Sequence, residues 1–287
     1  MTIVLDKAPA RRARITVPAF SPFEWLVFIV VALLLLLSIF GPLIVPQGIY
    51  SSNMLETLLP PSAEHWFGTD DQGRDVLWRV VAGAQISLLC SILIVILYSI
   101  IGIVVATLAT LGPRWVDEAL MRFTDIGLAL PGLIVALGFA AALGPSIQSG
   151  IIAMAVTGWP MTARLLRTTM RQTMEQPYVD GARALGVSTS RLMLRHVLPN
   201  SLDVLIVKWA GDVNVTLLIL ASLSFIGVGA QPPSPEWGAM ISAARSTMSS
   251  AWWAAAAPGF AIAVSAVAFG LLGEILQTRR DPSLRKS

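Results

Sequence analysis

One cysteine, two histidines and three lysines in 287 residues leave this chain little reactive chemistry. Cys90 has no second thiol, so no internal disulfide forms. His65 and His196 fall in different polar segments on opposite sides of an apolar stretch, which excludes a shared metal site. No Gly-x-x-x-x-Gly-Lys-Ser/Thr segment exists, and none of Lys7, Lys208 and Lys286 follows a glycine, so the chain carries no phosphate loop of its own. Charge is scarce as well. Only 13% of residues are charged against 55% hydrophobic, and the mean hydropathy of +0.72 lies outside the soluble globular range. The chain is an integral membrane protein.

The uncharged runs are Trp25–Val45, Val80–Pro113, Ile126–Ala163 and Ser246–Gly273. Each reaches the ~20 residues that cross ~30 Å of hydrocarbon as helix. The third is long enough for two crossings and splits near 144–148 at Gly144-Pro145, and Val204–Gly229 adds another with only Lys208 and Asp212 charged. The expected fold is an all-α membrane protein of six transmembrane helices, with a helix-turn-helix loop between the fourth and fifth. The expected organisation is a tail over 1–24, a first span over 25–46, an extracytoplasmic cap over 47–79, and a core over 80–287 holding five spans and the loop 164–200. The first apolar run exceeds a signal-peptide core and ends at Pro42 and Pro46 without a small-residue cleavage site.

Orientation follows from cations. Lys7, Arg11, Arg12, Arg14, Arg114, Arg122, six arginines of 164–200, Arg279, Arg280, Arg285 and Lys286 share one side, facing only Arg74, Arg79 and Arg245. Both termini and the long loop are expected in the cytoplasm. The net charge of +3 reflects this bias and not nucleic-acid binding, which needs a basic folded face with stacking aromatics.

The loop itself is unusual. Arg171–Leu185 is helix-competent, Gly186 suits a left-handed cap, Ser188 suits an N-cap for a second short helix through Met193–Leu198, and Pro199 is expected to close it. Tyr178, Ala182 and Leu185 share a face at i, i+4, i+7, a small ridge for a groove on a soluble partner. The bland alternative is an amphipathic loop on the lipid surface, but that needs neither a glycine at a set place nor a Leu-Pro stop. Asp180-Gly181-Ala182, then Gly186, then Leu198-Pro199 resembles the EAA loop of bacterial ABC importer permeases, with Asp180, Gly181 and His196 standing where the family has Glu, Ala and Ile. The resemblance implies that Tyr178, Asp180, Gly181, Ala182, Arg183, Ala184, Leu185, Gly186 and Pro199 meet an ATPase.

Two further stretches carry the same resemblance. His65–Leu88 contains Phe67-Gly68-Thr69-Asp70, Gly73-Arg74-Asp75 and Ser87-Leu88, and resembles the signature of the peptide and nickel branch, with Trp78 and Gln85 at its Ser and Arg places. Physically, Asp70 or Asp71 accepts backbone N–H groups in a turn that Gly73 permits, and Arg74 or Asp75 pairs across it. Pro232-Pro233-Ser234-Pro235-Glu236-Trp237-Gly238 resembles that branch's second external segment; its prolines exclude regular helix before Trp237. This segment either shapes an outer vestibule or is a rigid interfacial loop anchored by Trp237, Trp252 and Trp253.

Inside the spans, Ala84, Ser87, Ser91, Val95, Tyr98, Gly102, Ala106 and Ala109 form a small-residue stripe, expected to pack within the protein or at a dimer seam. Lys208, Asp212, Thr216 and Ser222 share one arc of the fifth span. Charges in lipid face cavities or pair, so this arc either walls a translocation path or carries a self-neutralising pair.

The resemblance identifies the chain as the second, C-type permease subunit of a peptide importer, with no catalytic, cofactor or metal site of its own. ATP and Mg would be bound by partner chains. The implied partners are a homologous second permease, two ATP-binding subunits and an extracytoplasmic binding protein, all at the bacterial inner membrane and among its lipid. Di- or oligopeptides are the implied cargo, with nickel chelates, glutathione or another small solute as alternatives. Other classes fit worse. A serine-type intramembrane protease lacks an intramembrane His, and Trp209 fills the first glycine place of an aspartyl-type GxGD; a secondary transporter gives no reason for the 164–200 loop.

Overall fold

The computed structural model describes residues 20–46 and 48–280. Lys7, Arg11, Arg12, Arg14, Arg285 and Lys286, and most of the expected tail, lie outside the described residues. Ser21 opens α1 (Pro22–Ile44) with a reciprocal cap: its hydroxyl accepts the Glu24 N–H at 3.2 Å, and the Glu24 carboxylate accepts the Ser21 N–H at 2.6 Å. Asp75 does the same duty for α2 (Val76–Leu111), accepting the Trp78 N–H at 3.1 Å. At 36 residues α2 is about 54 Å long, well beyond the hydrocarbon thickness. Its small-residue stripe is buried throughout, from Ala84 to Ala109.

The third apolar run departs from expectation. It breaks twice, at Leu130-Pro131 and at Gly144–Ser146, to give α3 (Arg114–Ala129), α4 (Gly132–Leu143) and α5 (Ile147–Met174), with α3 and α4 bent by 90°. Pro131 cannot donate the hydrogen bond that would carry one helix into the next. At 12 residues α4 is about 18 Å long, too short to cross alone. Among the described residues, four helices are long and apolar enough to cross a membrane, five if the bent pair counts as one; α5 falls short because Gln148, Ser149, Thr157, Thr162 and Arg164 dilute it.

The insert 164–200 is less loop than expected. α5 runs to Met174, and Pro177 starts α6 (Pro177–Ala184), so the expected helix Arg171–Leu185 is two helices. After Gly186 come α7 (Thr189–Leu192), one π-type turn over Met193–Val197, and α8 (Leu198–Ile226). Pro199 therefore closes nothing. It lies just past the π-type turn, inside one continuous helical run over Thr189–Ile226, and the chain runs on through it. α9 (Trp237–Ala244) begins at Trp237, directly after the prolines, and α10 (Trp253–Arg280) ends the described chain, seven residues later at each end than the sixth apolar run, because Arg245–Thr247 form a 3-10 turn and the last span continues past Gly273.

α2 lies against α1, α5 and α8, and α10 packs on α8, α9 and α1. The main core gathers Leu88, Ile94, Val95, Trp159, Leu217, Leu220 and Trp237, and a second, smaller one sits under α6 and α7. Among the described residues there is no strand, only a bridge between Thr69 and Asp75.

Candidate functional site

Three constellations stand out, one at each end of the bundle and one within it. The first is the compact helix-turn-helix built on α6 and α7. Its turn is a Schellman closure: Gly186 N–H donates to Arg183 O at 2.9 Å and Val187 N–H to Ala182 O at 3.2 Å, with Gly186 at φ +80°. Val179, Leu192, Met193 and Val197 bury themselves against Leu166 and Met170 of α5 and Leu205 of α8, and Ala182 and Val187 pack onto that cluster. The expected ridge is thereby split. Tyr178 and Leu185 are exposed, Leu185 at 86%, while Ala182 turns inward. Asp180, Gly181, Arg183, Ala184 and Pro199 stay at the surface, with Arg183 paired to Asp180 at 3.2 Å and Asn200 donating to the Tyr178 hydroxyl at 3.2 Å.

At the other end, the two signature stretches form one interlocked unit. Asp70 accepts the Gln72 and Arg74 N–H groups at 2.9 Å each and the Arg74 side chain at 2.8 Å, so of the two candidate aspartates it is Asp70 that organises the turn. Asp75 pairs with His65 at 2.9 Å rather than across the turn. A side chain at Gly73 would place Cβ 1.8 Å from Asn53 O, so only glycine fits there. Gly68 O accepts the Val76 N–H at 3.1 Å, and Thr69 O accepts the Trp253 indole N–H at 3.1 Å, which ties this turn to α10.

Arg79 then donates to Pro233 O at 3.2 Å, Trp237 donates its indole N–H to Val80 O at 2.9 Å and its amide to the Ser87 hydroxyl at 3.1 Å, and Ser87 donates to Glu236 at 3.3 Å. Glu236 caps α9 by accepting the Ala239 N–H at 2.9 Å. It is fully buried, and burial pushes its carboxyl above the ordinary carboxylate range. Gly238 lies so close to α8 that a Cβ would stand 2.2 Å from Ala221 O.

Between these ends lies a cavity of about 350 Å³ walled by α2, α4, α5 and α8. Lys208, Asp212 and Thr216 line it; Ser222 does not, and returns its hydroxyl to Leu218 O of its own helix at 2.7 Å. One Asp212 oxygen accepts both the Lys208 ammonium and the Tyr98 hydroxyl, and the ammonium stands 5.3 Å from the centre of the Tyr98 ring.

Residues 98–286 match the family described as the binding-protein-dependent transport system inner membrane component. The chain belongs to this family. The permease is 37% identical over 257 residues to the dipeptide transport system permease protein DppC of Alkalihalophilus pseudofirmus, covering 90% of this chain and 84% of that one. It is 39% identical over 263 residues to the probable D,D-dipeptide transport system permease protein DdpC of Escherichia coli K12, covering 91% and 88%. The glutathione transport system permease protein GsiD of Escherichia coli O6:K15:H31 is 39% identical over 225 residues, covering 78% of this chain and 74% of that one. A chain of the inward-facing MetNI methionine ABC transporter superposes with a TM-score of 0.58 at 14% identity, covering 71% of the permease and 97% of that chain, a likeness of fold. The permease is thus a multi-pass membrane protein of a transport family.

Sequence reasoning missed the acids that hold the arginine-rich half of α5. Asp117 of α3 accepts Arg167 and Arg171 at 2.5 Å, and Asp125 accepts Arg164. The alternation of Arg114, Asp117, Glu118, Arg122 and Asp125 along α3 was a signal that this stretch is an amphipathic helix and not a connector. Tyr98 was read as part of a packing stripe, and nothing in its spacing announces a bond to α8. Arg279 of α10 pairs with Glu24 of α1 at 2.7 Å, closing the bundle between its first and last helices.

Proposed function

We propose that this permease forms one half of the translocation path of an ATP-driven importer of short peptides. The observation that carries the cargo is the identity of 37–39% over about nine-tenths of the chain to two permeases named for dipeptides. The glutathione permease supports a second reading within the same chemistry, since glutathione is itself a small peptide. Nickel chelates or another small solute are the remaining alternatives. In this proposal a homologous permease supplies the other half of the path, two ATP-binding subunits hold ATP and Mg and hydrolyse the nucleotide, and an extracytoplasmic binding protein delivers the cargo. The permease itself carries no cofactor. Its compact surface of Tyr178, Asp180, Arg183 and Leu185, held by the Gly186 turn, supports docking of an ATPase, because a stroke is transmitted only through a rigid element.

The proposed topology has six crossings, with α5 counted through its apolar half and α3 with α4 as one, both termini and the α6–α7 unit in the cytoplasm, and the 47–79 and 230–250 segments outside. The cap and first span over 1–79 are additions to a core over 80–287. The interlock of the two signature stretches supports a rigid outer platform. The test is reconstitution of the tagged permease with its co-purifying subunits and ATP inside the vesicles. Import of a labelled dipeptide that stops without ATP is expected; co-purification without ATPase chains, or uptake indifferent to ATP, overturns the proposal.

A further inference from the structure

The cavity and its charged cluster carry a more specific reading. Lys208 lines the cavity of about 350 Å³ and also a second, wider one of about 690 Å³ toward Asp203 and Arg280, at the end of the bundle that carries α6 and α7. Its side chain is 15% exposed and that of Asp212 22%, so the pair is neither sealed in the core nor free in bulk solvent. Asp212 and Tyr98 line the first cavity alone.

We infer that Lys208 is a binding station for the carboxylate of the cargo as it passes from one cavity to the other, with Asp212 and Tyr98 holding the ammonium when no cargo is present. An ammonium on a four-carbon stem has three donors and moves easily between partners. Among the described residues one of its donors is committed, to the Asp212 oxygen that also accepts the Tyr98 hydroxyl. A bare ammonium in a low-dielectric path would trap an anion; the resting contact with Asp212 prevents this. An incoming carboxylate offers the same chemistry as Asp212 and competes for the same cation. Thr216 on α8 and Thr157 on α5 border the first cavity and are placed to meet the polar backbone of a short peptide. A self-neutralising structural pair has no need of a lysine shared between two cavities.

This inference rests on the peptide-importer reading, and its test separates the two. A benzophenone side chain is placed at Val215, which is half-exposed and borders the first cavity. Crosslinking to a labelled free-acid dipeptide, together with ATP-driven uptake, is followed in membranes holding the whole complex. The same is done with Lys208→Arg, with the exchange Lys208→Asp with Asp212→Lys, and with the neutral pair Lys208→Met with Asp212→Asn. Lys208→Arg is expected to keep crosslinking near the parent value. The exchange keeps the ion pair but moves its cation off the shared position, and together with the neutral pair it is expected to lower crosslinking about tenfold, the loss of one charged hydrogen bond, at equal amounts of assembled complex. Undiminished crosslinking in both double variants, or uptake by the parent with no crosslink at Val215, overturns the carboxylate station and leaves the importer standing. A parent that neither imports nor crosslinks any peptide overturns both.

Discussion

Gly186 shows how much one backbone conformation can decide. Its φ of +80° costs a residue with a Cβ roughly 1–2 kcal/mol, although nothing within 4 Å blocks the side chain. Gly186→Val is expected to insert normally but to open the α6–α7 turn, making tryptic cleavage after Arg183 about tenfold faster and uncoupling cargo-stimulated ATP hydrolysis. Gly181, also with open space around it, sits inside α6, so Gly181→Ala is expected to leave coupling intact and to slow cleavage, gaining up to ~1 kcal/mol of helix stability. Cleavage of Gly186→Val at the parent rate would show that the turn is not the constraint. Ala182 makes the opposite point. Its spacing from Tyr178 and Leu185 suggests one outward face, yet Val179 pulls that side of α6 onto the bundle, so a charge at 182 would damage the fold of the unit and not merely its docking.

Among the elements, α3 and α5 are joined by charge. Asp117 is 5% exposed and meets two arginines, one of them, Arg167, mostly buried. Asp117→Asn removes the anion and keeps the shape. It is expected to cost about 1.5–3 kcal/mol, the range for a hydrogen bond to a charged group, and to lower the unfolding temperature of the detergent-solubilised complex. A melting curve that coincides with the parent's would mean that Arg167 and Arg171 find equivalent partners. The element boundaries themselves were partly legible in the sequence. Asp75, Glu236 and Gly186 announce a start, a start and a turn through local backbone chemistry, and α2, α6 and α9 begin or end close to where those signals fall. Pro199 is no stop because its missing N–H falls where a π-type turn has already shifted the ladder, and the helix continues past it.

For the whole molecule the decisive quantity is the distribution of cations. Cysteines placed at Ser62 and Ser234 in a Cys90→Ser background are expected to react with an impermeant thiol reagent added to intact cells, while one at Ser190 reacts only after the membrane is opened. Labelling at position 190 from outside would reverse the orientation and place the α6–α7 unit on the outer side. The positive-inside bias is a property of the chain before folding, since it acts on segments as they insert. It needs no tertiary contact.

Composition, uncharged runs, caps and turn glycines are local, and through them the sequence by itself determined a helical membrane protein, the approximate place of most of its long helices and the existence of a helix-turn-helix insert. What joins those pieces is not local. The bond between Tyr98 and Asp212 spans 114 residues, and that between Trp237 and Ser87 spans 150. Such partners depend on how α2 packs against α8 and α9, and no spacing along the chain encodes that. Tertiary structure alone decided that Ala182 faces inward, that Ser222 leaves the arc of Lys208, Asp212 and Thr216, that two signature stretches form one lock, and that a lysine inside a helix borders two cavities. The physical reason is common to all four: helical periodicity sets which residues share a face, but only packing against neighbouring helices sets what that face meets.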